Sequence, residues 1–210
     1  MSFWTTIICI MLFAVQSAFA APRLVSPLDS ETDPDSLIPF LKKGELSLVQ
    51  SKPDGTLEQV ASMVLIDAPL KKVFDTITDY ATYKSFLPNV VKSDIVYKDA
   101  DHTDVSMEVD VPIKNIHYTL RYRTNGKSVI EIELVKGDIK TGAYRWDLID
   151  TDDGTLVIYT TVTDLSETSW IMKKLISSQP TIEHAANVAT GILTVKAVKK
   201  EAEKRAAWRE

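Results

Sequence analysis

The chain has 210 residues, 45% of them hydrophobic and 25% charged, with 7 Gly and 9 Pro. That composition excludes disordered, collagen-like and low-complexity classes and fits one globular domain. Lys and Arg number 24 against 29 Asp and Glu, a formal charge of -5, and no long basic run is free of interleaved acids, so nucleic acid is not an expected partner.

Residues 1–20 contain no Asp, Glu, Lys or Arg, and the apolar run from Phe3 to Val15 ends in Ser17, Ala18, Phe19 and Ala20, the small-x-small pattern cut by signal peptidase. This segment is expected to be a secretory signal, cleaved after Ala20, that delivers the protein to the periplasm or outside the cell. No cation precedes the run, and about 20 apolar residues also suffice to span a bilayer, so an uncleaved anchor is the alternative. Cys9, the only cysteine, lies inside the run, and the chain after Ala20 holds neither a disulfide nor a thiolate site.

Residues 21–44 carry Pro22, Pro27, Pro34 and Pro39 among Asp and Ser. They read as a leader without regular elements, laid on the surface of a domain spanning residues 45–207. Strand character begins at Glu45, turns at Lys52 to Gly55 and resumes from Thr56 to Asp67. Pro69 then opens a short helix, with Asp67 or Ala68 as its cap and Leu70, Val73, Phe74 and Ile77 along one face. A second short helix over residues 80–86 ends before Pro88, whose ring disfavours helical geometry in the preceding residue. Five or six β segments follow, separated by turn signals at Asp99 to His102, Pro112 to Asn115, Asn125-Gly126, Lys136 to Asp138 and Asp153-Gly154, which describes an antiparallel meander.

Register follows from matching apolar to apolar across each turn, because a slip of one residue exchanges the faces of a strand. At Asn125-Gly126 a bulged hairpin sets Leu120 opposite Ile130 and Tyr118 opposite Ile132, leaving His117, Thr119 and Arg121 on the other face beside Glu131 and Glu133. At Asp153-Gly154 the same test sets Leu148 opposite Ile158, Trp146 opposite Thr160 and Tyr144 opposite Val162. In the strand from Thr103 to Val111, Val105, Met107, Val109 and Val111 point inward. One sheet face is therefore apolar and aromatic. Ser166 can cap a helix through Ser177, and Pro180 opens a longer one running to near Ala207. Its apolar arc includes Val188, Ile192 and Val195 with Ala185, Ala186, Ala189 and Ala197, small residues that leave space between helix and sheet.

This order of elements resembles the α+β helix-grip fold of START lipid-transfer domains, polyketide cyclases and the birch-pollen allergen family: a curved antiparallel sheet wrapped around a long C-terminal helix, with two short helices after the first domain strand. The stretch from Ile66 to Tyr80, with its Ala68-Pro69, Val73-Phe74 and Thr78-Asp79-Tyr80, and then Tyr83, Phe86, Leu87 and Pro88, looks like that superfamily's opening signature. Gly142, Arg145, Trp146 and Leu148, followed by Thr155 and Tyr159, resemble its later strand pattern. The resemblance spans about residues 56–200 and is nearest to the coenzyme Q-binding START branch. The export signal and the leader depart from that branch, whose cytosolic or mitochondrial role they put in doubt.

Inward aromatics would fill the core of any antiparallel sheet, and that is one reading. The resemblance and the small residues of the helix support a second, a cavity for a hydrophobic ligand. Its sheet side would be Met107, Val109, Tyr118, Leu120, Tyr122 and Ile132, continuing through Tyr144, Trp146, Leu148 and Ile158, and its helix side Val188, Ala189 and Ile192. The resemblance then implies an exported carrier of a lipid, an isoprenoid quinone or a similar molecule, with a cyclase or aromatase using Tyr118, Tyr122 or Tyr144 and a protein-interaction module as alternatives.

Catalytic signatures are lacking: there is no HExxH, no Cys pair, no phosphate loop and no G-x-S-x-G. His102, His117 and His184 read as surface histidines, and Arg121 with Glu131 and His117 with Glu133 as solvent-face pairs of little energetic weight. The mixed-charge tail from Lys196 to Glu210 reads as solvated i,i+4 pairs. No catalytic residue, metal or cofactor is expected. The expected partner is a hydrophobic small molecule bound by a monomer, with transient membrane contact left open.

Overall fold

A computed structural model describes residues 24–28, 33–111, 115–166 and 170–207. The expected signal at 1–20 lies outside them. Eight antiparallel strands form one sheet in the order β1-β2-β8-β7-β6-β5-β4-β3: β1 (Leu46–Ser51), β2 (Leu57–Ile66), β3 (Val90–Lys98), β4 (Thr103–Val109), β5 (Ile116–Asn125), β6 (Val129–Gly137), β7 (Gly142–Thr151) and β8 (Gly154–Thr163). Every neighbour in the meander from β3 to β8 is also the next strand in sequence, and the β2–β8 pairing joins the opening hairpin to the meander's end. Two short helices, α2 (Leu70–Thr78) and α3 (Tyr83–Phe86), fill the connection from β2 to β3. The chain closes with α4 (Trp170–Ser178) and the 27-residue α5 (Thr181–Ala207), completing the helix-grip arrangement.

Local chemistry explains most of these bounds. Pro69 is itself the cap of α2, with no side-chain cap from Asp67, and its carbonyl accepts from the amides of Lys72 and Val73. Val73 and Ile77 bury the apolar stripe of α2 against the core. The C-terminal turns of α5 are tied down by Arg205, whose guanidinium donates to Asp79 (3.0 Å), Glu201 (2.8 Å) and the Thr82 hydroxyl (3.1 Å). The tail therefore carries i,i+4 pairs and, through Arg205, a long-range link to the segment between α2 and α3.

Two hairpin registers differ from the sequence expectation. Across Asn125-Gly126 the loop takes three residues, Asn125 pairs with Val129, and Leu120 faces Leu134 while Tyr122 faces Ile132. The shift is by an even number of residues, so Leu120, Tyr122, Ile130 and Ile132 keep the expected inner face. Beyond Leu120 a bulge places Gly137 opposite Tyr118. A Cβ on Gly137 would lie 2.4 Å from the His117 carbonyl, and its φ of +146° suits glycine, so this residue lets β6 close onto the tyrosine. Across Asp153-Gly154 the turn is tighter than expected, setting Trp146 opposite Tyr159, Leu148 opposite Val157 and Tyr144 opposite Thr161. This odd shift exchanges the faces of β8.

Consequently Ile158 points away from the long helix. With Leu156, Ala61, Met63 and Leu65 it forms an outer core, sealed by Ile38 and Leu41. These last two belong to a short helical segment, a 3-10 turn at Pro34–Leu37 running into α1 (Ile38–Leu41), which replaces the irregular leader expected there. Asp33 begins it by accepting from the Asp35 amide at 3.0 Å, and prolines occupy first-turn positions where a missing N–H costs nothing.

The seam between α5 and the sheet is made by Asn187, Gly191, Val195, Val198 and Ala202. Gly191 permits the closest approach, since a Cβ there would lie 2.3 Å from the Ser62 hydroxyl oxygen. The buried Asn187 amide accepts from the Thr163 amide (2.9 Å) and donates to the Thr163 carbonyl (3.1 Å), capping the end of β8. None of the described helices is long and apolar enough to cross a membrane.

Candidate functional site

Between α5, the inner face of β4–β8 and the α3–β3 connection lies a cavity of about 260 Å³. Met107, Val109, Tyr118, Leu120, Tyr122, Ile132, Tyr144 and Trp146 line its sheet side, joined by Tyr159 and Thr163 of β8. Leu148 is buried in the same core but outside the lining, and Ile158 belongs to the outer layer. The correction at Ile158 follows from the β8 register. Tyr159 occupies the expected position beside Trp146, with ring centroids 4.3 Å apart.

The helix side also differs from expectation. Ala186, Asn187, Thr190, Leu193, Thr194 and Val198 line it, whereas Val188, Ala189 and Ile192 do not, and Ala189 is exposed. The reason is the rotation of α5. Positions 184, 188, 192 and 196 form one stripe, whose ends reach the β1 side through His184 to Ser51 (3.2 Å) and Lys196 to Glu45 (3.4 Å). The cavity-facing stripe is richer in threonine than in alanine.

Six of the seven tyrosines cluster in and around this space. Tyr83 donates its hydroxyl to the Ile77 carbonyl, and Tyr122 reaches the Met107 sulfur at 3.8 Å. The Tyr144 oxygen accepts from Thr163 at 3.2 Å. Tyr80 packs against Tyr122 at 4.3 Å between centroids. Burial raises the pKa of Tyr80, Tyr83, Tyr118, Tyr122, Tyr144 and Tyr159 above the ordinary phenol value, the anion being costly in this environment. All six phenols thus stay protonated near neutral pH and able to donate. No Asp, Glu, Lys, Arg or His is among the described lining residues.

Charged groups are gathered on the other sheet face. Arg121 makes a two-pronged contact with Asp104 (2.8 Å on both arms), not with Glu131, and holds the Asp104 carboxyl below its usual range. Glu131 pairs with Arg145 (3.1 Å), Glu133 with Arg123 (2.6 Å), and His117 lies 3.8 Å from Glu108 rather than beside Glu133. His102 stacks on Tyr97 at 5.0 Å between Asp99 and Asp104. His184 bridges Ser51 and the Pro180 carbonyl. No cluster able to hold a metal ion occurs among the described residues.

Tyr159, Tyr83 and Asn187 are among the lining residues that sequence reasoning missed, as are Thr163, Thr190, Thr194 and Val198. Asn187 gave no signal: at about 100° per residue it falls opposite the arc of Val188, Ala189 and Ile192, and its hydrogen-bond partners on β8 are a tertiary feature. For Tyr159 there was little contrast, because both alternating sets of β8 are apolar or β-branched.

Residues 66–188, more than half of the chain, match the profile of the family described as polyketide cyclase / dehydrase and lipid transport. A search of the curated proteins finds no match. Among solved structures, a protein from Thermus thermophilus superposes with a TM-score of 0.60 at 18% identity, covering 70% of this chain and 99% of its own. A STAR-related lipid transfer protein fragment from Xanthomonas axonopodis gives 0.59 at 17% identity, covering 76% and 94%. The Zhui aromatase/cyclase from Streptomyces gives 0.54 at 17%, covering 70% and 94%. At such identities the likeness is one of fold.

Proposed function

This chain belongs to the polyketide cyclase / dehydrase and lipid transport family, and from that premise we propose that it is an exported, non-catalytic carrier of a neutral, hydrophobic molecule with a hydrogen-bond-accepting head, an isoprenoid quinone being the leading case. The observation that carries this reading is the cavity wall: apolar and aromatic side chains, phenol and threonine hydroxyls, and no Asp, Glu, Lys, Arg or His among its described residues. Apolar burial at roughly 25 cal/mol per Å² would supply most of the affinity, about 2.5 kcal/mol for each 100 Å² of ligand covered. Phenols held in the donor state would orient a ketone or ether oxygen. The volume is near the lower bound of ligand pockets, which run from about 300 to 1,000 Å³. It suits a ring-bearing head and a short stretch of tail, with any longer tail leaving through the mouth.

A cyclase-like activity is the second reading, motivated by the same convergence of phenols. Proton abstraction needs a base titrating near working pH, and the raised tyrosines are donors only. That asymmetry favours the carrier. Export to the periplasm or beyond rests on the residue 1–20 pattern, and intact-mass analysis of the cell fractions checks it.

The functional test is native mass spectrometry of the gently purified protein, extraction of any co-purifying molecule, and titration with a short-chain quinone read by quenching of Trp146. Saturable quenching, reduced about tenfold in a Tyr118→Phe, Tyr159→Phe double variant if each lost bond is worth ~0.7 kcal/mol, is the expected result. Non-saturable quenching, or turnover of a polyketide substrate, would overturn the carrier reading.

A further inference from the structure

We propose that α4 is a docking surface for an anionic lipid bilayer. Its nine residues, Trp170 to Ser178, include Lys173 and Lys174 and no acid, in a chain whose net charge is -5. Ile176 anchors the helix inward. At about 100° per residue, Trp170, Lys174, Ser178, Ile171 and Leu175 then share one outward arc. The exposures agree with that geometry: Trp170 is 75% exposed, Ile171 43% and Leu175 40%.

Tryptophan and aliphatic side chains interleaved with lysine are the composition of a helix lying in a membrane interface, where the ring and alkyl groups enter the acyl boundary and the ammonium groups stay at the headgroups. A protein partner fits less well. The outward arc offers roughly a few hundred Å², short of the ~800 Å² per partner of a standard interface. In a symmetric contact between two copies, the lysines would also face one another. Another exposed apolar row among the described residues, Val91, Ile95, Val96 and Tyr97 on edge strand β3, differs in being interrupted by Lys92 and Asp94 and followed by Lys98, charges of both signs that discourage burial.

The location suits exchange of cargo. Leu165 lines the cavity, with its amide held by Glu183 at 3.2 Å, and Trp170 follows five residues later in the chain. Passage of a ligand between bilayer and cavity rests on the carrier reading. Contact of α4 with lipid does not.

The test mixes the full-length protein with vesicles of phosphatidylcholine, alone or with phosphatidylglycerol, some carrying dibrominated acyl chains that quench tryptophan within the hydrocarbon layer. Quenching is expected on the anionic vesicles and is expected to weaken with added salt. Trp170→Phe should remove most of the quenching while sedimentation with vesicles persists, because the phenyl ring still inserts. Joint Lys173→Glu and Lys174→Glu should weaken sedimentation with anionic vesicles by roughly tenfold or more. Val96→Ser on β3 should change neither. Equal quenching in the parent and Trp170→Phe would overturn the proposal even if the protein sediments, since the contact would then lie elsewhere, for instance in residues 1–20. Sedimentation indifferent to the lysine reversal would overturn it as well. Quinone uptake measured without vesicles separates the two readings, because its failure rejects the carrier and leaves a positive bilayer result standing.

Discussion

Strand β8 is buried on both faces, and the two faces do different work. Leu156 and Ile158 point outward into a layer closed by Ile38 and Leu41 of α1, where both strand residues are 0% exposed within one aliphatic cluster. Tyr159 points inward beside Trp146, into the layer that encloses about 260 Å³ of space under α5. Two cores thus share one strand, an aliphatic one outside and an aromatic one, enclosing a cavity, inside. Their covers differ as well. A short helix contributes two aliphatic side chains to the outer layer, whereas the long α5 is held at its seam by Gly191, Asn187 and Val195 and presents Thr190 and Thr194 to the gap.

The largest effect should follow from cutting into the outer layer. Ile158→Ala removes side-chain volume from a site with little freedom to collapse, at an expected cost of about 2–5 kcal/mol in chemical denaturation. Quinone uptake by the fraction that remains folded should be unchanged, since Ile158 faces away from the cavity. A binding defect at full occupancy of the folded state would mean that the two layers are not separate.

The inner layer answers differently. Thr194→Phe adds a ring from a cavity-lining position, so the space should accept it with a stability change under about 1 kcal/mol, against the 1–3 kcal/mol typical of overpacking a filled core. Ligand affinity should fall by about tenfold or more as the ring occupies the site. Ala189→Phe is the matched control: its position is exposed, so both stability and uptake should hold. Thermal unfolding and tryptophan quenching on the two variants decide it, and a heavy stability loss in Thr194→Phe with unaltered binding would show the inner layer to be filled.

This contrast also marks where the sequence was legible. The i, i+3, i+4, i+7 stripe of α2 and the alternation in β4 have one apolar and one polar side, so periodicity assigns their faces. The hairpin at Asn125-Gly126 closes four residues further along β6 than apolar matching suggests, yet its parity survives, because Arg121, Glu131 and Glu133 cannot turn inward without cost. In β8 that check is lost. Val157, Tyr159 and Thr161 are no more apolar as a set than Leu156, Ile158 and Thr160, so matching apolar pairs selects the wrong face. The rotation of α5 was hidden for the opposite reason. Its buried seam includes Asn187 and Gly191, residues that an apolar arc does not count, and the close approach of Gly191 to Ser62 is a tertiary fact with no local trace.

The smallest effect is expected where β8 ends and the two layers meet α5. Glu183 accepts from the Leu165 amide at 3.2 Å, one helical turn before the Asn187 clamp on Thr163. Burial, together with the nearby Asp164, raises its carboxyl above the ordinary value of 4.5, although the Leu165 bond and His184 pull the other way. A carboxyl raised on folding binds protons more tightly in the native state than in the unfolded chain, so its charged form costs stability. The cost is present in full above the native pKa and vanishes below the unfolded value of 4.5. Glu183→Gln keeps an oxygen for the Leu165 amide and removes the charge. It should therefore melt higher than the parent at pH 8, with the two curves converging as the pH falls below about 4.5. Because the group is only half-buried, solvent screening reduces the gain to less than about 1 kcal/mol, or under ~4 °C for a chain of this length. A Gln variant less stable at pH 8 would mean that the charge-assisted bond to Leu165 outweighs desolvation, and that the carboxylate strengthens the junction between helix and sheet.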